Sequence, residues 1–287
     1  MALKDLLVYV DPTEESLART RLAADLASRH GSRLTALYAR EWSDEQRHES
    51  SVAEMGLVTA KQMNTLHRRI EASIDETMEP VRSALDALGR QYGLTTEWRS
   101  VAGSPSVVAP QHARYADLCI VGHGAKTDPN PDQYSFSETL LFRTGRPVLF
   151  TPSARPFETL GRRIVVAWNS SRPASRSVSD ALPLIERAEQ TTVVTVDSAD
   201  FIGKHGGLPA ERIVEHLKRH GASTDLIQLE NVPAWAIADQ LQNSAVELGA
   251  DLLVTGAFGH PRLWEKILGG VTRGLLDRMR LPIFMSY

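Results

Sequence analysis

A chain of 287 residues is long enough for two ordinary domains, at roughly 100–200 residues each. Hydrophobic residues make up 42% and charged residues 23%, the balance of a globular protein with a conventional core rather than of a disordered chain. The formal net charge of -3 offers no electrostatic hold for nucleic acid or an anionic membrane, and no apolar run approaches the roughly 18 residues of a spanning helix.

In chain order, the N-terminus runs straight into Leu6-Leu7-Val8-Tyr9-Val10, a strand pattern without the basic segment and long apolar core of a signal peptide, so a cytoplasmic protein is expected. Ser16 to His30 reads as a helix closed by Gly31, and Leu34 to Ala39 as a second strand. From Glu41 to about Leu66 a stretch that begins polar (Ser43, Asp44, Glu45, Gln46, Arg47) predicts a mobile loop leading into a long helix. Leu118-Cys119-Ile120-Val121 is an apolar strand whose lone cysteine is expected to be buried and inert. Val148-Leu149-Phe150 is another strand, and prolines and polar residues from Thr151 to Gly161 interrupt the pattern.

After the interruption the series begins again. Ile164 to Asn169 matches Leu6 to Asp11, Ala174 to Ala188 matches the first helix, and Thr192 to Asp197 the second strand. Asp251 to Gly256 matches Asp117 to Gly122, and Arg280 to Met285 matches Gly145 to Phe150. Two copies of one unit follow, 1–152 and 160–287. Short apolar strands separated by helices predict, for each copy, a doubly wound α/β domain with a mostly parallel sheet of about five strands.

The second copy ends on a motif. The strand Asp251 to Thr255 runs into Gly256-Ala257-Phe258-Gly259; nine residues later Gly269-Gly270 opens a helix from Val271 to about Met279. Helix N-termini carry unpaired N–H groups and partial positive charge, and glycine lets backbone approach an anion closely. This pattern resembles the G-2x-G-9x-G-[S/T] signature of the universal stress protein family, and the resemblance extends in two copies over nearly the whole chain. It implies Rossmann-like domains whose last strands pair across a dimer, here Val148 to Phe150 with Ile283 to Met285 within one chain as a pseudo-dimer. It also implies a stress-response regulator that binds ATP or another adenine nucleotide, with Mg2+ accompanying it.

Carried onto this sequence, the resemblance places the nucleoside at Asn169, where the family has Asp, and the adenine against backbone near Val196. Gly256 and Gly259 would admit the phosphates. Gly269, Gly270, Val271 and Thr272 would offer N–H or hydroxyl donors, with His260 and Arg262 in reach from the intervening loop. Gly270 stands where nucleotide-binding members have Ser or Thr. The competing reading is that these glycines serve only a tight strand–loop–helix connection.

The first copy keeps Asp11 but follows Gly122-His123-Gly124 with Asp128 and Asp132, and sets Tyr134 and Ser135 opposite Gly269 and Gly270. Tyrosine blocks close approach and carboxylates repel phosphate, so this site is expected to be degenerate, with Asp11 a turn residue. His216 and His220 have metal-ligand spacing, but His220-Gly221 reads better as a helix end, and no metal site is expected. Trp235 and Trp264 are expected to pack rather than to stack on a base.

No G-x-S-x-G elbow and no Walker A loop occur, and Glu265 is as well read as a solvated charge as a general base. ATP hydrolysis is expected to be slow and incidental at most. The alternatives are a nucleotide-free interaction scaffold and, less favoured, an enzyme of the adenine-nucleotide alpha-hydrolase type. That enzyme would need a glycine-rich loop after a first strand, where this chain has Asp11 to Glu15 and Asn169 to Pro173. Unidentified protein partners, and pairing of two whole chains, are compatible with either reading.

Overall fold

The computed structural model describes residues 2–40, 60–123, 136–153, 157, 159–197, 210–257 and 270–287. The first half contains β1 (Asp5–Tyr9), α1 (Glu14–His30), β2 (Arg33–Arg40), α2 (Ala60–Tyr92), β3 (Thr96–Ala102), α3 (Pro105–Ala113), β4 (Leu118–Gly122), α4 (Phe136–Arg143) and β5 (Val148–Thr151). The second contains β6 (Arg163–Ala167), α5 (Arg172–Ile185), β7 (Gln190–Val196), α6 (Glu211–Arg219), β8 (Thr224–Leu229), α7 (Ile237–Glu247), β9 (Leu252–Gly256), α8 (Gly270–Asp277) and β10 (Ile283–Ser286).

All ten strands join one sheet in the order β3-β2-β1-β4-β5-β10-β9-β6-β7-β8. Among the described residues pairing is parallel within each half, and only the central β5–β10 pair is antiparallel. There Leu149 faces Phe284, flanked by Phe150–Ile283 and Val148–Met285. The expected intrachain pseudo-dimer is thus present, and it pairs two apolar strands that would otherwise be exposed edges.

Helices cover both faces. One apolar cluster joins the sheet to α1, α2, α5 and α6, and the other to α3, α4, α7 and α8. The edge strands β3 and β8 are only half-buried, with polar residues along both.

Local chemistry sets the ends of the elements. Gly31, at φ 62°, caps α1 and returns its N–H to the carbonyls of Ala27 and Ser28. Ser171 caps α5, its Oγ accepting from the Ala174 N–H at 3.3 Å. A carboxylate ties the start of each copy together: Asp117 accepts from the N–H groups of Lys4 and Asp5 at 2.7 and 3.0 Å. Its repeat equivalent Asp251 accepts from those of Arg162 and Arg163 at 3.2 and 3.1 Å. Helix α2 begins at Ala60, ahead of the expected Leu66, and the preceding 41–59 lies outside the described residues. Cys119 is fully buried, and burial pushes its thiol up to about 12.

Candidate functional site

In each half the strand order turns back on itself at the first strand, between β1 and β4 and again between β6 and β9. Open parallel sheets bind ligands beyond the carboxyl ends of such strands. The two crevices are built from repeat-equivalent backbone and differ in their side chains.

In the first half Asp11 follows β1. Its Oδ1 accepts from the Thr13 N–H at 3.2 Å and from the Thr13 hydroxyl, an Asx turn leading into α1. Its Oδ2 is held at 2.9 Å by Nη2 of Arg19, which also donates to Ser16 Oγ at 3.3 Å, while Nε donates to the Tyr9 carbonyl at 2.9 Å. Arg19 is only 3% exposed. A Cβ on Gly122 would come within 2.2 Å of Arg19 Nη1, so the guanidinium lies directly over the end of β4. Tyr9 and Phe136 close the other face of the strand end, with ring centroids 5.0 Å apart. His123 beside them contacts Ser137 Oγ at 3.3 Å, and burial lowers its pKa against the opposing pull of Asp277. The carboxylate that could fix a nucleoside is therefore taken by an internal arginine. Asp128, Asp132, Tyr134 and Ser135, on which the expected degeneracy rested, lie outside the described residues.

In the second half the register Ala167–Thr255 and Ala167–Val194 brings Asn169, Gly256 and Val196 to the same end of the sheet. Asn169 is exposed, and its Oδ1 accepts from the Ser171 N–H at 3.2 Å, repeating the Asx turn of Asp11. Ser170 adopts φ 58° within that turn. Where the first half has Arg19, this half has Ser177, fully buried, its Oγ without a partner among the described residues. Gly256 has a packing role: a Cβ there would stand 2.4 Å from the Ala174 nitrogen and 2.5 Å from the Pro173 carbonyl carbon. Helix α5 thus rests directly on the end of β9.

Gly270 is the first residue of α8, exposed, and among the described residues nothing lies within 4 Å of the position a Cβ would take. Val271 and Val196 are half-buried against the same apolar cluster, and Thr272 is 5% exposed. Gly259, His260, Arg262 and Gly269 lie outside the described residues, as do Trp264 and Glu265.

Trp235 departs from the expected packing role: it is 80% exposed, in the turn between β8 and α7. His216 and His220 stack edge to face at 4.7 Å, and His220 Nδ1 sits 3.6 Å from Glu186 Oε1. Among the described residues no group of three or more metal-ligating side chains forms. Nor is any described helix long and apolar enough to cross a membrane.

The sequence reading overlooked Arg19. Its signal was available: a cation between Ser16 and Thr20 on the face of α1 that otherwise presents Leu22, Ala23 and Leu26 to the sheet.

No family model and no curated protein matches the sequence. Solved structures do match the fold. A universal stress protein from Archaeoglobus fulgidus DSM 4304 superposes with TM-score 0.72 at 17% identity, over 98% of this chain and 95% of that one. A functionally unknown protein from Pseudomonas aeruginosa PAO1 gives 0.55 at 17% identity, over 99% and 92%. The likeness spans both halves of the sheet, and at these identities it is a likeness of fold: the chain has the universal stress protein fold across the 98% of its length that superposes.

Proposed function

We propose that the chain is a tandem universal stress protein, with units 1–152 and 160–287, acting in the cytoplasm as a stress-response regulator rather than as an efficient enzyme. Its second unit binds one adenine nucleotide, ATP with Mg2+ or a relative, and its first unit binds none. The supporting observation is the difference between Arg19 and Ser177 at equivalent places: in the first half a guanidinium holds Asp11 and lies over the end of β4, whereas in the second the equivalent residue is a buried serine and Asn169 stays exposed. Two described features of the second crevice fit a nucleotide. Asn169 keeps its Nδ2 donors available while its Oδ1 makes the turn, and the N-terminus of α8 opens on an unobstructed residue.

The test begins with denaturing release from freshly purified protein, identification of released molecules by mass spectrometry, and calorimetric titration with ATP, with and without magnesium. About one nucleotide per chain, lost in Gly270→Glu, supports the reading. The glutamate points into open space, so folding survives while phosphate is repelled. No release and no titration heat would sink it. The nucleotide-free scaffold is favoured by one observation, that close packing of α5 already accounts for Gly256.

A further inference from the structure

At the seam between the halves, the carboxyl end of β10 and the outer face of α5 meet the α4–β5 turn of the first half. They enclose a groove of about 660 Å³, in the range of small-molecule sites. Arg146 comes from the first half; Arg172, Ser175, Arg176 and Ser179 come from α5; Ser286 and Tyr287 close the end. Among the described residues Arg172 has no hydrogen-bond or ionic partner. Arg146 is held by a 3.2 Å bond from Nε to the Arg114 carbonyl. Arg176 Nε donates to Asp180 Oδ2 at 2.8 Å, and that buried carboxylate also accepts from Ser286 Oγ at 2.9 Å. Asp180 thereby orients Arg176 and Ser286. Three guanidinium groups against one side-chain carboxylate give the lining a cationic side-chain balance, in a chain of formal net charge -3.

The fold does not demand this lining. On α1 the equivalents of Arg172, Ser175, Arg176, Ser179 and Asp180 are Glu14, Leu17, Ala18, Arg21 and Leu22, and the equivalent of Arg146 is the buried Leu281. Fusing two units into one chain lets the two sides of the seam diverge, and only one has become a basic, hydroxyl-lined groove.

We propose that this groove binds a small phosphorylated anion through Arg146, Arg172 and Arg176, with Ser175 and Ser179 as neutral donors. Planar guanidinium groups match phosphate oxygens in pairs, and the serines donate without adding charge. Tyr287, braced edge-on against Phe142 at 5.0 Å, forms an aromatic rim beside the phosphate position. The groove adjoins the glycine motif, since Ser286 pairs with Gly256 and Pro173 and Ala174 rest on that glycine, but its lining contains none of the motif's glycines and needs no nucleotide in the second crevice.

The test is calorimetric titration of the full chain with inorganic pyrophosphate and with phenyl phosphate, at low and moderate salt. Wild type is expected to bind at least one of them, and Arg172→Gln to weaken binding about tenfold or more. The thermal midpoint should not move, because Arg172 has no partner to lose. Arg146→Gln should weaken binding similarly, whereas Gly270→Glu should leave it intact. Tighter phenyl phosphate assigns an organic ester, and tighter pyrophosphate an inorganic anion; either preference supports the groove. No binding to wild type overturns the proposal. So does binding that survives Arg172→Gln but is lost in Gly270→Glu, which would place the anion at the glycine motif.

Discussion

Leu149 and Phe284 are repeat equivalents of one another and also direct partners across the antiparallel β5–β10 pair, so the pseudo-twofold axis passes between them. Both are fully buried and belong to the same apolar cluster. The sheet of each half ends at this pair, and together they weld the halves into one ten-stranded sheet. Phe284→Ala should cost about 3–5 kcal/mol and Leu149→Ala about 2–5 kcal/mol. The double variant should lose less than the sum, because the two side chains share one contact. Urea denaturation of the three variants checks this; strict additivity would mean that the two side chains do not couple across the seam.

Arg19 and Gly122 make a second coupled pair. Gly122→Ala puts a Cβ 2.2 Å from Arg19 Nη1, and that guanidinium is pinned to Tyr9, Asp11 and Ser16. The substitution should cost about 1–3 kcal/mol, as overpacking does. Arg19→Ser alone should cost about 3–5 kcal/mol by stranding the Asp11 carboxylate. In the Arg19→Ser background the alanine should become nearly neutral. Gly256→Ala should be worse than Gly122→Ala, since its Cβ meets the backbone of Pro173 and Ala174 rather than the tip of a side chain. Equal costs at the two glycines would contradict this account.

These two glycines mark the limit of what the sequence discloses. The apolar runs at Leu6, Leu34, Leu118 and Val148, with their counterparts, are fully buried strands, and such strands announce themselves as continuous hydrophobic stretches. The edge strands β3 and β8 were not separately legible, because Thr96 to Ala102 and Thr224 to Leu229 carry polar residues on half-exposed faces. Gly122 and Gly256 look alike in sequence, yet one lies beneath a guanidinium and the other beneath a helix. Only tertiary packing separates those environments. Trp235 shows the same limit, since composition favours a buried indole and the turn after β8 leaves it outside.

Gly270 offers a gain-of-function test of the nucleotide reading. The space around its Cβ position is open, so Gly270→Ser introduces a hydroxyl at the α8 N-terminus without a clash. Serine also fits a helix start, so thermal stability should hold or rise by a few tenths of a kcal/mol. ATP affinity, measured by calorimetry, should rise about threefold to tenfold from one added hydrogen bond to phosphate. An unchanged affinity in a folded variant would place the phosphates elsewhere.

His30 gives the fold a dependence on acid. It sits in the last turn of α1, where the helix dipole alone would favour the imidazolium. Burial opposes this, and the neighbouring Arg187 and Arg29 add repulsion, so its pKa falls to about 4 from 6.5. Among the described residues its Nε2 has no hydrogen-bond partner, consistent with a neutral ring. The folded state binds this proton less readily than the unfolded chain does. The contribution is therefore complete above about pH 6.5 and is lost progressively as pH falls toward 4. Urea midpoints at pH 7 and pH 5 should drop more for wild type than for His30→Leu, which removes both the titration and the unpaired nitrogen. Identical drops would mean that His30 is solvated and that other groups carry the acid sensitivity.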